Sequence, residues 1–584
     1  MTIPAQLSAE VTKALQGILG ETLPADFTAA VTPSQDLRFG DYQCNAAMML
    51  AKQVRTNPRE LAARVIEAIG ATELATAEIA GPGFINFRIR PASYAARMKS
   101  MLHDDRLGVP MADKAKTIVI DFSAPNVAKP MHVGHIRSTI IGDTLARLAR
   151  HMGHTVITDN HIGDWGTQFG MILWGWKHVL QHDQLESDPI EALLAVYKKV
   201  NSMCKEDPAL LADCKAELVK LQSGDAENLD IWKRCIAVTK LGLEKIYDQL
   251  DIHFDHWLGE SFYNDALDPL VKDLLAKGIA RESEGAVCVF SDGYHKPQQD
   301  PFLVCKDGEW IPVPAIIRKA DGGFLYATTD LATLDYRTEH FHADSIWYVV
   351  GAPQEKHFKQ IFDIERMRGV SGDFRHVAFG SILGKDRRPF KTRSGDTVSL
   401  QDVIDEAIER ATRVIEEKSP DMPADEKTRV AQAVGVGAIK FAELSQNRLS
   451  DYIFDWDKML ALTGDTAPYL QNSYVRVRSI FRKLDAPFSA PESLCLSEDA
   501  EIHLARLLAR YAEVVPATLD DCRPNILAAF LYELARAFHS FYEACPVLRS
   551  EGQVQATRLS LCELTARVLK QGMGLLGIQM PERM

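Results

Sequence analysis

Residues 117–148 read TIVIDFSAPNVAKPMHVGHIRSTIIGDTLARL, and this stretch decides the fold. The apolar, β-branched run at 117–122 predicts a buried strand, and the segment 123–131, with its two prolines, predicts a loop. Beyond the loop, apolar residues recur at helical spacing. The tetrapeptide HVGH therefore lies where a strand passes into a helix. In an open parallel sheet this edge binds ligands, and the free N–H groups of a helix's first turn favour phosphate.

The length and composition indicate a soluble protein of several domains. The chain has 584 residues, of which 46% are hydrophobic and 25% charged, and this length predicts about three to four domains. No apolar run approaches the roughly 20 residues that span a bilayer. The N-terminus has an amphipathic helical pattern without the basic and apolar regions of a secretory signal. We therefore expect a cytoplasmic protein without a membrane partner.

The cysteine pattern argues against a zinc site, and the net charge is uninformative about an RNA partner. The ten cysteines are scattered without a CxxC pair or a Cys/His spacing suited to zinc, so reduced thiols and no metal site are expected. The formal charge of −13 argues against indiscriminate nucleic-acid binding. It leaves room for an RNA partner that is met through local basic patches.

HVGH resembles the HIGH motif of class I aminoacyl-tRNA synthetases. An isolated HxGH more often marks two ordinary histidines near a helix start, but the longer string SAPNVAKPMHVGHIRSTIIGD resembles the arginyl-tRNA synthetase version of the motif. The resemblance implies that His132 and His135 contact the phosphates of ATP. It also implies that Gly134 leaves room for adenine to lie flat against the backbone.

Residues 1–112 are predicted to form a separate α/β module. Helical patterns at 5–19 and 58–69 flank the string FGDYQCNAAMMLAK, and GPGFINF follows. Both strings resemble the N-terminal additional domain of arginyl-tRNA synthetases, which touches the elbow of tRNA. Phe39, Asp41, Tyr42 and Asn45 are candidate RNA contacts. Helix capping by Asp41 and packing of Phe39 and Tyr42 are equally good explanations.

Residues 113–400 are predicted to form a Rossmann-type catalytic domain with a parallel sheet. The run at 155–158 predicts the next strand and completes a βαβ unit, and the following string GDWGTQFG resembles a site-shaping segment of the family. An insertion with helices and short strands is predicted at about 175–300. The strand at 345–350 then precedes Gln354 and His357.

The resemblance also assigns the residues that bind L-arginine. A guanidinium is planar and always charged, so carboxylates at its rim make paired bonds that lysine cannot reproduce. Glu260 and Asp330 are the candidate carboxylates, with Tyr326 as a flat neighbour and Asp121 as a weaker third. Without the resemblance, Glu260 is a surface residue and Tyr326 with Asp330 is a core tyrosine beside a capping aspartate. The substrate backbone is assigned to Ala124, Pro125, Asn126, His135 and Gln354.

The second class I motif is altered in this chain. Where most class I enzymes carry KMSK, the sequence has Lys391, Thr392 and Arg393, with Lys385 and Arg388 upstream. Developing phosphoryl charge needs preorganised cations, so the missing lysine must be replaced. Lys129 is the expected replacement, as in family members with an altered KMSK. The predicted catalytic and ATP-binding residues are His132, Gly134, His135, Lys129, Lys391 and Arg393. Mg²⁺ is expected to accompany ATP, without a dedicated set of protein ligands.

Beyond residue 400 the pattern is almost wholly helical. Residues 401–455 are predicted to be a helical junction, and residues 456–584 resemble the all-α anticodon-binding domain of the family. Basic and aromatic residues occur together in one stretch, which suits contact with single-stranded RNA. The predicted tRNA-binding residues are Arg476, Arg478, Arg482 and Tyr474. A solvated helix face is the alternative.

Because the resemblance covers nearly the whole chain in order, it implies a ligase that activates L-arginine with ATP and transfers it to the terminal ribose of tRNA(Arg). A monomer is expected, as is a requirement for tRNA during activation. Two alternatives remain open. One is another nucleotidyl-transferring enzyme on the same fold, which leaves the helical C-terminal domain without a purpose. The other is an RNA-binding scaffold without catalysis, against which the intact HVGH histidines argue.

Overall fold

The computed structural model describes residues 1–129, 131–181, 189–384, 386–388, 398–484 and 486–584.

The N-terminal module packs helices on an antiparallel sheet of strand order β1-β2-β4-β3. Helix α3 shows why such an element forms here: Asn57 caps it, Pro58 occupies its first turn, and the buried side chains of Leu61 and Val65 lie one turn apart. The elements in chain order are α1 (Ile3–Leu19), β1 (Val31–Pro33), β2 (Tyr42–Cys44), α2 (Ala46–Ala51), α3 (Pro58–Ile69), β3 (Ala75–Ala80), β4 (Phe84–Ile89) and α4 (Pro91–Leu102).

The predicted Rossmann-type domain follows, and its elements extend to a short strand at residues 382–383. In chain order they are β5 (Thr117–Asp121), α5 (Gly134–His151), β6 (Thr155–Asp159), α6 (Thr167–His178), α7 (Pro189–Glu206), α8 (Pro208–Gln222), α9 (Ala226–Gln249), α10 (Asn264–Ala276), β7 (Ala280–Ser283), β8 (Ala286–Val289), β9 (Leu303–Lys306), β10 (Glu309–Pro312), β11 (Ala315–Arg318), α11 (Tyr326–Glu339), β12 (Ser345–Tyr348), α12 (Glu355–Arg368), β13 (Asp373–His376) and β14 (Ile382–Leu383).

A parallel sheet of strand order β13-β12-β5-β6 forms the centre of this domain. Ile118, Val119 and Ile120 in β5 are all buried, as expected for a strand that is covered on both faces. Helix α5 packs closely on this strand because Gly142 lacks a side chain: a Cβ there would lie 2.2 Å from the ring of Phe122.

The insertion has two parts. Helices α6 to α9 pack around their own apolar cluster, which includes Phe169, Leu193 and Leu221. The second part contains a small antiparallel sheet of order β11-β8-β7 and the exposed hairpin of β9 and β10. The sequence predicts short alternating strands at 286–290 and 302–305, and these correspond to β8 and β9 within one residue at each end.

The C-terminal part is helical. Its elements are α13 (Leu400–Lys418), α14 (Ala424–Leu444), β15 (Tyr452–Ile453), α15 (Trp456–Met459), α16 (Ala467–Phe481), α17 (Asp499–Asp520), α18 (Pro524–Ala544) and α19 (Gly552–Leu575). The predicted fold class, a Rossmann-type domain between an N-terminal α/β module and an all-α C-terminal domain, is confirmed. Among the helices that the structure describes, none is both long and apolar enough to cross a bilayer.

Buried polar contacts join the C-terminal helices to the other two parts. Arg137 in α5 pairs with Glu443 in α14 at 2.6 Å, and both side chains are fully buried. On the N-terminal module, the Tyr42 hydroxyl donates to Glu513 at 2.6 Å, and Asp41 pairs with Arg506 at 2.6 Å. Asp41 and Tyr42 are buried. They therefore join two domains and are closed to an RNA ligand, whereas Phe39 and Asn45 are exposed.

Candidate functional site

The loop between β5 and α5 has an unusual backbone that neighbouring elements hold in place. Ser123, Ala124 and Ala128 have φ values of 72°, 45° and 58°, a conformation that costs free energy for residues with a side chain. Their backbone N–H groups are held by side chains from three other segments: Ser138 Oγ at 2.8 Å, Asn160 Oδ1 at 3.1 Å and Thr239 Oγ1 at 3.2 Å. Strain of this kind, fixed by surrounding contacts, is typical of a ligand site.

The two histidines of HVGH form a compact pair. Their ring centroids lie 4.0 Å apart, and the backbone N–H of His132 donates to Nδ1 of His135 at 3.1 Å. The backbone N–H of Gly134 donates to Nδ1 of His132, also at 3.1 Å. Because both Nδ1 atoms accept, this hydrogen-bond network assigns the proton of each neutral ring to Nε2.

Both imidazoles are held neutral. Burial, followed by the nearby His132, lowers the pKa of His135 to about 3. Burial, followed by the charge of Lys129, lowers the pKa of His132. At neutral pH the pair therefore offers two Nε2–H donors and no formal positive charge.

Gly134 makes room for one of these rings. A Cβ at this position would lie 2.8 Å from Cε1 and 2.9 Å from Nδ1 of His132. The glycine therefore allows the His132 ring to fold back over the first turn of α5. The contact of adenine with the backbone at Gly134 stays a prediction.

Lys129 contacts the insertion. Its Nζ lies 4.6 Å from the ring centroid of Tyr197 in α7, within the range of a cation–π contact. It is also close enough to His132 to lower the pKa of that ring. Lys385, Lys391, Thr392 and Arg393 lie outside the described residues, and the side chain of Arg388 is exposed.

Three of the predicted arginine-binding residues are neighbours. Burial raises the pKa of Glu260 to about 6, and the negative charges of Asp164 and Asp330 add to the shift, against His161 and the backbone N–H of Trp165. The pKa of Tyr326 is raised by burial and by the charge of Glu260. Glu260, Tyr326 and Asp330 thus share one electrostatic environment, although the Tyr326 side chain is largely exposed.

Asp330 has a partner that the sequence did not indicate. His357 Nε2 lies 2.5 Å from Asp330 Oδ2, and both side chains are partly buried. The two residues belong to different helices, α11 and α12. The sequence showed His357 only as a histidine near a helix start, because no local pattern indicates a contact between residues 27 positions apart.

Asp121 does not belong with these carboxylates, and its assignment as a third arginine ligand is wrong. The Arg337 guanidinium lies 2.7 Å from Asp121 and 2.8 Å from Asp159 in a fully buried cluster. The charge of Asp121 is therefore already compensated inside the protein. The sequence analysis did not identify Arg337, because no motif or spacing distinguishes this arginine of α11 from others in the chain.

Loop, helix and strand ends converge at the carboxyl edge of the sheet. Ser138 in α5 donates through Oγ to the backbone oxygen of Val349, just beyond β12, at 2.6 Å. Exposed Gln354 follows at the start of α12. Asn126 Oδ1 accepts from Gln168 of the GDWG segment at 3.2 Å. Ala124 and Asn126 are exposed beside buried Pro125.

The predicted RNA-binding residues of the C-terminal domain differ in exposure. Arg476 and Arg482 are exposed, and Arg478 pairs with Glu563 at 3.1 Å. Tyr474 is only 2% exposed, and its hydroxyl donates to Glu582 at 2.6 Å. A base cannot stack on this buried ring, so Tyr474 is a packing residue and its assignment to RNA binding is wrong.

Models of three protein families match the chain in sequence. Residues 5–89 match the arginyl tRNA synthetase N terminal domain, residues 97–456 match the class I (R) tRNA synthetase catalytic domain, and residues 470–584 match the DALR anticodon binding domain.

Individual proteins are similar over the full length. The arginine–tRNA ligases of Salmonella heidelberg and Salmonella typhimurium are each 44% identical to this chain, with all of both chains covered. The crystal structure of arginyl-tRNA synthetase from Plasmodium falciparum has a TM-score of 0.83 at 27% identity, with all of both chains covered. The Thermus thermophilus arginyl-tRNA synthetase has a TM-score of 0.82 at 22% identity over all of both chains, which supports the fold alone. The chain belongs to the arginyl-tRNA synthetase family of class I aminoacyl-tRNA synthetases.

Proposed function

We propose that this protein is an arginine–tRNA ligase that converts L-arginine and ATP to arginyl adenylate and pyrophosphate and then transfers the arginyl group to the terminal ribose of tRNA(Arg). Family membership supports the reaction class. The assignment of arginine as the substrate rests on one observation, the pair of neighbouring carboxylates Glu260 and Asp330.

Activation needs no protein nucleophile. A carboxylate oxygen of arginine attacks the α-phosphorus of ATP, the new C–O–P bond forms, and the bond to the bridging oxygen of pyrophosphate breaks. The protein contributes position and stabilisation of charge. The Nε2–H groups of His132 and His135 point from neutral rings and donate to phosphate oxygens. In the second step a hydroxyl of the terminal ribose attacks the arginyl carbonyl, and AMP leaves.

Cations near the phosphates come from two sources. We assign one to Lys129, which would leave the ring of Tyr197 for the pyrophosphate, and the other to Lys391 with Arg393. Mg²⁺ enters as part of the substrate, bound to the phosphates of ATP. Among the described residues, no group of three His, Cys, Asp or Glu side chains is arranged to hold a metal ion.

Arginine recognition uses the two carboxylates in different ways. Asp330 is fixed by His357, and Glu260 lies in a more buried environment that raises its pKa. Together they place two negative charges opposite one planar cation, and Tyr326 supplies a flat wall. Ala124, Asn126 and Gln354 are exposed at the same edge, where they would hold the amino-acid backbone.

The tRNA contacts are assigned to the two outer domains. Arg476 is exposed on α16, Arg482 is exposed directly after that helix, and Phe39 is 53% exposed on the N-terminal module. We propose that activation requires tRNA, that the enzyme acts as a monomer, and that it works in the cytoplasm, where translation supplies its partner.

The test is the exchange of pyrophosphate into ATP, measured for each amino acid with and without tRNA(Arg). Exchange should depend on arginine and on tRNA. Asp330→Asn should raise the KM for arginine on the order of a hundredfold, because a buried charged partner is lost. Glu339→Gln, an exposed change on the same helix, serves as the control and should leave KM unchanged.

Three outcomes would contradict the proposal. Exchange that depends on another amino acid indicates a different synthetase specificity. Exchange that needs no amino acid indicates another nucleotidyl transferase. RNA binding without any exchange indicates a scaffold that has lost catalysis.

A further inference from the structure

The contact between Asp330 and His357 joins two helices at the carboxyl edge of the sheet. Asp330 lies in the second turn of α11, and His357 lies in the first turn of α12. Their 2.5 Å separation is short for a hydrogen bond between a nitrogen and an oxygen. Exposed fractions of 19% for Asp330 and 25% for His357 show that water reaches both only in part.

The direction of this hydrogen bond is fixed by chemistry. An ionised carboxylate only accepts, so Nε2 of His357 carries the proton and donates it to Oδ2. One carboxylate oxygen is thereby held, and the rotation of the Asp330 side chain is restricted.

The imidazole is itself held by aromatic neighbours. The ring of Phe358 lies edge-on to His357 at 5.4 Å. Phe358 packs in turn against Tyr348 at the end of β12 and stacks on His376 in β13, with ring centroids 4.9 Å and 4.8 Å away. The orientation of the imidazole is therefore set by residues of the central sheet.

A fixed carboxylate matters for a guanidinium ligand. Paired hydrogen bonds require the planes of the two groups to match, and a freely rotating aspartate would lose entropy each time arginine binds. We propose that His357 is a positioning residue for arginine recognition, which orients the Asp330 carboxylate toward the guanidinium and does not itself touch the substrate. This inference rests on the proposed function.

The experiment compares three variants with the wild type in tRNA-supported pyrophosphate exchange. His357→Leu removes the donor, His357→Gln keeps an amide N–H donor near the position of Nε2, and His295→Leu is a matched change at an exposed histidine. His357→Leu should raise the KM for arginine roughly tenfold, with kcat and the KM for ATP unchanged. His357→Gln should restore the KM to within about threefold of wild type.

Specificity provides a second readout. L-citrulline has the shape of arginine without its charge, and a loosely oriented Asp330 discriminates less between the two. The ratio of the inhibition constant of citrulline to the KM for arginine should therefore fall in His357→Leu and return toward wild type in His357→Gln. If His357→Leu only impaired folding, fewer enzyme molecules would be active and this ratio would stay unchanged.

Several results would overturn the proposal. These are an unchanged KM for arginine in His357→Leu, equal increases in the KM for arginine and ATP, or a His357→Gln variant as impaired as His357→Leu. Because every comparison is made against wild-type exchange with arginine, a failure of the proposed function appears separately, as the absence of that exchange in the wild type.

Discussion

At the scale of single residues, Glu260 and Asp330 are two like charges that lie close enough for Asp330 to raise the pKa of Glu260. Burial is the main cause of the raised pKa of Glu260, and Asp330 contributes to it. With a pKa of about 6, Glu260 is mostly ionised at pH 7.5 and mostly protonated at pH 5. A protonated Glu260 no longer attracts a guanidinium.

The KM for arginine should therefore rise as pH falls through about 6, the pKa of Glu260. Between pH 7.5 and pH 5 we expect an increase of about tenfold, as one carboxylate loses its charge. Glu260→Gln should have a high KM at every pH and lack this dependence. The measurement is pyrophosphate exchange against arginine concentration across the range, and the variant also controls for the titration of ATP. If the KM for arginine changed with pH in the same way in the wild type and in Glu260→Gln, the assignment of Glu260 to arginine binding would be contradicted.

Single residues were predictable from the sequence where a local string identified them, and not where a distant partner determines their role. Glu260, Tyr326 and Asp330 were predicted because each lies in a family string, and the structure makes them neighbours. The assignments of Asp121 and Tyr474 failed because each depends on a distant partner. Arg337 is 216 positions from Asp121, and Glu582 is 108 positions from Tyr474.

At the scale of elements, the proposed ATP-binding site lies at the start of α5. The predicted strand at 117–122 and the structural β5 differ by one residue, and the helical pattern predicted from His135 onward begins one residue after the start of α5. These elements were predictable because β-branched runs and helical periodicity arise locally. The strained loop between them was not, since side chains from other segments hold it.

Gly134→Ala tests the close approach at this helix start. The added Cβ would overlap the His132 ring, so the ring must move away from the position in which we propose that it donates to phosphate. We expect the KM for ATP to rise roughly tenfold, while thermal stability stays nearly constant because the ring can swing outward. Steady-state exchange against ATP concentration measures the effect. Gly17→Ala in α1, where a Cβ meets nothing within 4 Å, should leave the KM for ATP unchanged.

At the scale of the whole molecule, the C-terminal helices are joined to the catalytic domain by a buried ion pair. Arg137 follows His135 by two positions, and its guanidinium reaches Glu443 and the backbone oxygen of Ser450. Both charged side chains are almost completely shielded from solvent. Such a pair is costly to break because the remaining charge stays buried.

Glu443→Ala should therefore destabilise the protein by about 3–5 kcal/mol. Glu409→Ala removes a pair with Arg413 whose side chains are 62% and 64% exposed, and it should cost less than about 1 kcal/mol. Denaturant midpoints, followed through residual exchange activity, compare the two variants. Equal midpoints would show that the Arg137 charge finds another partner.

The crowding of Asp330 and Glu260 also affects how well the protein withstands heat. Without a guanidinium between them, the folded chain holds two repelling groups that the unfolded chain keeps far apart. If arginine binds between them as proposed, it removes this penalty and binds only the folded form, which at a hundred times its Kd adds about 2.7 kcal/mol of protection. The amino acid that the enzyme consumes is in this sense also its stabilising additive, and starvation for arginine would leave the unoccupied enzyme in its most fragile form.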